Sequence, residues 1–207
     1  MAESPHVERL QEHQIDAAAD LMNRVFTDQL RAISIEPTSE QKSAYLDGYQ
    51  RIVRYFFAHC EPMVATIESK VVGLALWMPP RTLDPTKEER DEFGIDDLGR
   101  IFQETIGFTY PVNRKLVFFE YRSLKQPYWY LPPRLDVDPA YTNRGVASGL
   151  MKPILLRADE CGLTCYVDTI LPPMVPFFQK HGFEIMANGV DASSGVQYWT
   201  LRRYPQS

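Results

Sequence analysis

The stretch that most constrains how this chain folds is 128–150. A segment suited to a β-strand is cut by Pro132-Pro133, resumes as Leu135-Asp136-Val137, crosses a short polar loop and opens a helix on Gly145. Proline has no N–H to give to a ladder, so a proline pair inside a strand predicts a bulge or a local splitting of strand pairing. The helix that follows begins with backbone N–H groups that have no intrahelical acceptor and that carry the positive end of the helix dipole. Together these predict a sheet with an opening beside an anion-binding helix start, where Gly145 lets a diphosphate approach without cationic side chains. An ordinary strand-to-helix turn fits the same string, because R-G-x-A alone is a short signal.

Around this centre the elements alternate without a doubly wound repeat, which predicts an α+β fold. Asp16 stands where it would cap a helix with an apolar stripe of Ala18, Leu21, Met22, Val25 and Phe26. Thr38 followed by Gln41 predicts a capping box opening a helix over 39–57. The β-branched runs 64–68 and 71–77 predict a hairpin turning at Ser69-Lys70. Between 79 and 127 the pattern loosens into a proline-bounded insertion with a charge run at 87–92 and a helix near 97–105. Further on, Val146, Leu150, Ile154 and Ala158 form one row of a helix over 145–161 that Gly162 ends. A strand over 164–170, a short helix over 174–181 and a closing hairpin of 183–186 with 196–201 complete the chain. With 207 residues and no composition shift that marks a linker, the expected organisation is one domain, 1–207, carrying the insertion at about 79–127.

Composition removes several function classes. Hydrophobic residues make up 44% and charged residues 24%, so the chain buries a core and is neither disordered nor repetitive. Net charge is −5 without a basic cluster, which argues against nucleic-acid partners. The longest apolar run, 71–80, is far short of the ~20 residues of a membrane span, so no membrane partner is expected. The start MAESPHVERL has neither a basic region nor an apolar stretch, and a cytoplasmic location is the expectation. Cys60, Cys161 and Cys165 are read as reduced, buried thiols, and with four histidines no metal site is expected.

The residues Val137, Pro139, Gly145 and Ala147 resemble the central signature of the GNAT superfamily of N-acetyltransferases, a strand ending in V-x-P and then Q/R-x-x-G-x-G/A opening a helix. The resemblance continues in A-L-W-M-P-P at 75–80, R-A-D-E-C-G-L at 157–163 and F-F-Q-K-H-G-F at 177–183. The stretch from Glu120 through Tyr128-Trp129-Tyr130-Leu131 also looks like the branch containing puromycin N-acetyltransferase. The resemblance implies the GNAT fold: a mixed, mostly antiparallel sheet split by a bulge, with helices on both faces. It implies that acetyl-coenzyme A lies in the split, its pantetheine against the backbone of Leu135 and Val137 and its diphosphate on the loop and helix start from Asn143 and Arg144 through Gly145, Val146, Ala147 and Ser148. A small-molecule amine would attack the thioester directly, with Tyr128 and Tyr130 walling the acceptor site. Glu120 and Asp136 are the carboxylates nearest the split in sequence and the candidates for taking the amine's proton.

Three positions depart from the family pattern. Thr142 replaces the Q/R, Met174 replaces the usual asparagine, and Phe178 stands where members carry a general-acid tyrosine. A thiol has a pKa near ~8.5, so the thiolate leaves tolerably without full protonation. Two readings follow: an acetyl-coenzyme A-dependent N-acetyltransferase, and a protein that keeps the fold but binds a ligand or does different chemistry.

Overall fold

A computed structural model describes residues 4–32, 34–82, 85–106, 126–190 and 197–206. Strand β1 (His6–Arg9) leads through a single 3-10 turn at Glu12–Gln14 into helices α1 (Ile15–Ala32) and α2 (Ser39–His59). The hairpin β2 (Glu61–Ile67) and β3 (Lys70–Trp77) follows, then helices α3 (Lys87–Phe93) and α4 (Ile95–Ile106). Strands β4 (Tyr128–Leu131) and β5 (Leu135–Val137) precede helix α5 (Val146–Glu160). Strand β6 (Thr164–Thr169), helix α6 (Met174–Lys180) and the hairpin β7 (Glu184–Val190) and β8 (Gln197–Arg203) complete the order.

Local chemistry sets most of these limits. Thr38 accepts from the Gln41 amide at 3.2 Å while Gln41 accepts from the Thr38 amide at 2.8 Å, closing the capping box expected for α2. A second box, Thr86 with Glu89, turns the charge run into α3, and Gly94 at φ +58 ends it. The insertion therefore carries two described helices where one was expected. The α1 cap is a correction. The helix is entered from the 3-10 turn, whose start is boxed by Gln11 and Gln14, and Asp16 sits in the first turn accepting from Gln50 at 3.2 Å. The β2–β3 turn is also corrected by one residue, since Glu68 and Ser69 hold the positive φ values, 50° and 63°, that a tight hairpin turn demands.

Among the described residues the strands form two four-stranded sheets, ordered β1-β2-β3-β5 and β4-β6-β8-β7. The first is antiparallel throughout; in the second β4 runs parallel to β6. They meet at an antiparallel bridge between Met78 and Tyr130, with N–H···O distances of 2.8 and 3.0 Å. Helices α1 and α2 pack on one face with Leu74 and Leu76, burying Leu21, Met22, Tyr45 and Tyr49. Helix α5 covers the other face over Ala65, Ala75, Trp129, Leu131 and Val167. A third cluster, Tyr55, Cys60, Met78, Ile95, Tyr130 and Tyr166, joins α2 and α4 to the second sheet. Of the three thiols, Cys60 and Cys165 are buried but Cys161 is exposed, because it caps α5 at the surface.

Candidate active site

The proline pair does what its chemistry requires. Strand β4 pairs with β6 through the rung Leu131–Val167, and four residues later β5 has left that sheet to pair with β3, Leu135 opposite Ala75 and Val137 opposite Gly73. Strand β6 continues to Asp168 and Thr169 with β8 on its other side. The two sheets therefore part just past Leu131.

The backbone of β5 alternates across this opening. Arg134 accepts from the Leu76 amide at 3.1 Å and Asp138 donates to Val72 at 2.9 Å, so the hydrogen-bonding groups of Arg134, Asp136 and Asp138 face β3. In an antiparallel pair the intervening residues point the other way, which turns the N–H and C=O groups of Leu135 and Val137 toward the split. Their half-buried side chains pack against the α5 side of the sheet.

The loop after β5 ends at α5. Asp138 caps a short 3-10 turn, Pro139–Tyr141, by accepting from the Ala140 amide at 3.1 Å. Burial alone would raise the Asp138 carboxyl, but Lys70 at 3.0 Å, the Ala140 amide and Arg24 at 3.5 Å outweigh it and hold the group below the ordinary value. The Tyr141 ring takes Lys70 at 5.0 Å and Arg144 at 5.1 Å from its centre. Asn143 and Gly145 both have positive φ, 60° and 78°, which swings the chain into the helix. The first helical bond in this turn runs from the Gly149 amide to Gly145 at 2.8 Å, leaving the amides of Val146, Ala147 and Ser148 at the open end. Among the described residues, a Cβ built on Gly145 would meet nothing within 4 Å, so the space beside this glycine is open. A diphosphate fits such a cradle.

Two contacts fix where the cradle sits. Gly73 of β3 touches the first turns of α5 so closely that a Cβ there would lie 2.5 Å from Val146 Cγ1 and 2.9 Å from Leu150 Cδ1. His181, which ends α6, places Nδ1 2.8 Å from the Phe177 carbonyl and Nε2 3.0 Å from Ser148 Oγ. The carbonyl only accepts, so Nδ1 carries a proton, and Nε2 pairs with the Ser148 hydroxyl. Sequence reading gave His181 no partner, since nothing local ties two residues 33 apart.

Of the two candidate carboxylates, Glu120 lies outside the described residues. Asp136 lies opposite Leu74 on the face toward α1 and α2 and is 7% exposed. Its Oδ2 is buried without a hydrogen-bond partner among the described residues, and burial pushes the carboxyl up to about 6 against the pull of Arg134, whose guanidinium lies 5.2 Å over the Tyr49 ring. A carboxyl in that range takes a proton near neutral pH. Tyr128 is half-buried and meets the Tyr166 ring edge-on at 5.3 Å. Tyr130 is buried, and its hydroxyl donates to Asp168 at 2.8 Å. Asp168 was missed by sequence reading; its signal was a carboxylate in an otherwise apolar strand, which a core rejects unless hydrogen-bonded. Phe178 is 2% exposed among Phe177, Phe183 and Val167, so this position belongs to the core.

Comparison with known proteins agrees with this geometry. An acetyltransferase (GNAT) family model matches residues 26–183. The L-amino acid N-acetyltransferase AaaT of Escherichia coli is 41% identical over 59 residues, 26% of this chain and 35% of that protein, so the likeness spans about a third of the relative's length. Among solved structures, a histone acetyltransferase HPA2 and related acetyltransferase from Corynebacterium glutamicum superposes with a TM-score of 0.67 at 17% identity, covering 99% of this chain and 98% of that one. The PaiA N-acetyltransferase of Thermoplasma acidophilum, solved in complex with coenzyme A, does so with a TM-score of 0.60 at 11% identity, covering 98% and 99%. With the split sheet, the open edge of β5 and a family match over most of its length, the chain belongs to the GNAT acetyltransferase family.

Proposed function

We propose that this protein transfers the acetyl group of acetyl-coenzyme A to an amine of a small molecule. The observation that carries the reading is the alignment of the outward backbone of Leu135 and Val137 with the bare amides of Val146, Ala147 and Ser148 across one loop. The strand edge offers a pantetheine amide the ladder bonds that β6 does not make there, and the helix start offers a diphosphate its donors. When bound, the thioester supplies an activated acetyl whose C–S bond breaks as the new C–N bond forms.

The chain's own residues prepare the acceptor. An ammonium cannot attack, so its proton has to be removed, and Asp136, buried beside the split with its Oδ2 unpaired among the described residues, is the described group suited to take it. Phe178 offers no proton to the departing thiolate, so that proton comes from solvent or from the amine's own nitrogen. Tyr128 and Tyr130 wall the acceptor side, and the insertion at 79–127 shapes acceptor choice, since Ile95 of α4 lies in the cluster with Tyr130. Amino acids are a natural first acceptor class to try, given the AaaT likeness. The test is thiol release from acetyl-coenzyme A in the presence of L-amino acids, aliphatic diamines and arylalkylamines. Amine-dependent release with an acetylated product supports transfer; binding of acetyl-coenzyme A without release supports the second reading, a GNAT-fold binding protein, which the core position of Phe178 favours.

A further inference from the structure

His181 joins two helix ends of opposite sign. It closes α6, where its Nδ1 lies 2.8 Å from the Phe177 carbonyl, and its Nε2 lies 3.0 Å from the Oγ of Ser148 in the first turn of α5. The carbonyls that end α6 favour a cation, and the open amides that start α5 oppose one. The half-buried ring packs on Phe177, with ring centres 4.5 Å apart.

The carboxylates on the elements around the ring are committed elsewhere. Glu184 of β7 pairs with Arg202 of β8 at 2.8 Å, Asp159 of α5 with Arg203 at 2.7 Å, and Asp138 ahead of the loop with Lys70 at 3.0 Å. Lys180 beside it on α6, Lys152 one turn beyond Ser148 and Arg144 ahead of α5 are exposed cations. An anion held at the start of α5 would supply the countercharge that a protonated ring needs.

Hydrogen-bond polarity ties that charge to Ser148. The Phe177 carbonyl only accepts, so Nδ1 keeps its proton whether the ring is neutral or charged. In the neutral ring Nε2 accepts, which takes the Ser148 hydroxyl proton and leaves that oxygen only lone pairs. In the charged ring Nε2 donates, and the hydroxyl proton is free for another acceptor. Only the charged state gives a phosphate oxygen an O–H beside the amides of Val146, Ala147 and Ser148.

We propose that His181 is a positioning residue for the coenzyme diphosphate: binding draws a proton from solvent onto Nε2, which then donates to Ser148 Oγ and turns the hydroxyl proton toward a phosphate oxygen. The inference rests on the coenzyme placement in the acetyl-transfer reading and adds a proton to it. Histidine is the side chain that titrates near neutrality, and an opposite charge within ~4–6 Å moves a titration by ~1–3 pH units. The bound state holds the proton more tightly, so affinity is full at low pH and falls as pH rises past neutrality.

Calorimetry of acetyl-coenzyme A in buffers of different ionisation enthalpy counts the protons taken up by the wild type, His181→Gln and Ser148→Ala. The wild type is expected to bind about tenfold more tightly at pH 6 than at pH 8.5 and to take up about half a proton more than His181→Gln near pH 7. The coenzyme's own 3′-phosphate titrates in both and cancels in that difference. Ser148→Ala, which keeps the backbone amide and the imidazole, should show a shallower pH profile than the wild type. A histidine that only supports the fold would lower affinity in His181→Gln by one factor at both pH values with proton uptake unchanged, and that result would overturn the assignment. So would a Ser148→Ala profile as steep as the wild type's. If His181→Gln fails to fold, the Cε1–H resonance of His181, assigned by replacing His6, His13 and His59, reads the same quantity. Its titration midpoint should rise by about one pH unit on binding, and a midpoint that stays in place overturns the proposal. A wild type that binds acetyl-coenzyme A without transferring acetyl overturns the transfer reading alone; one that does not bind it overturns both.

Discussion

At the scale of single residues, the burial of Asp136 carries a cost. Its carboxyl moves from 3.8 to about 6 on burial, so the folded chain holds this proton more tightly than the unfolded chain does. Below pH 4 both states are protonated and nothing is lost. As pH rises from about 4 to about 6 the unfolded state releases its proton first, and from there upward the native state is disfavoured by about 3 kcal/mol. Asp136→Asn is therefore expected to raise Tm by several degrees at pH 8 and to leave it unchanged at pH 4, while removing an inflection near pH 6 from the profile of kcat; thermal melts and rates across pH check both. Equal Tm changes at the two pH values would contradict the buried charge. Phe178 makes the opposite case. A hydroxyl added there enters a core of Phe177, Phe183 and Val167, so Phe178→Tyr is expected to cost ~1–3 kcal/mol with no gain in turnover. A melt and a rate on the same variant decide it, and a faster, equally stable variant would place the ring tip in the split instead.

At the scale of elements, the contact of α5 with β3 sets where the cradle lies. Gly73→Ala would drive a methyl into Val146 and Leu150, and overpacking of this kind costs typically ~1–3 kcal/mol. The expected result is a lower Tm together with weaker acetyl-coenzyme A binding, since the displaced turn carries the amides; Gly162→Ala, at the far end of α5, should lower Tm without touching affinity. Elements of this kind were legible where the signal was local. The Thr38–Gln41 box, the hairpin and the parting at Pro132-Pro133 each follow from neighbours a few residues apart. The candidate site was legible only along the chain. Leu135, Val137 and the 143–148 run fall together because they are consecutive, whereas the Tyr130–Asp168–Thr200 bonds and the His181–Ser148 bond join strands and helices that only the fold brings close. Asp16 shows the reverse failure: a good cap residue is bypassed because Gln11 and Gln14 box the preceding turn.

At the scale of the whole molecule, the proposed reading has the first sheet present β5 and the loop to the coenzyme, while α4 of the insertion packs through Ile95 into the cluster that holds Tyr130 of the second sheet. Long segments between elements of a compact fold are usually functional. Hydrogen exchange should therefore be faster in α3 and α4 than in β3 and β6, and adding an acceptor amine should slow it in α4. Protection in α3 and α4 equal to that of the strands, with and without ligand, would count against a role in acceptor entry.

Coenzyme A is proposed to sit at the start of α5, and calorimetry of acetyl-coenzyme A against the wild type and Gly145→Glu tests that placement. Gly145 has φ +78 and, among the described residues, nothing within 4 Å of a Cβ built on it, so a glutamate there costs ~1–2 kcal/mol of backbone strain and puts a negative side chain where the diphosphate would lie. The expected result is saturable binding to the wild type and no measurable heat from a folded Gly145→Glu variant. Equal affinity in the two folded proteins, or no binding by the wild type, would contradict it.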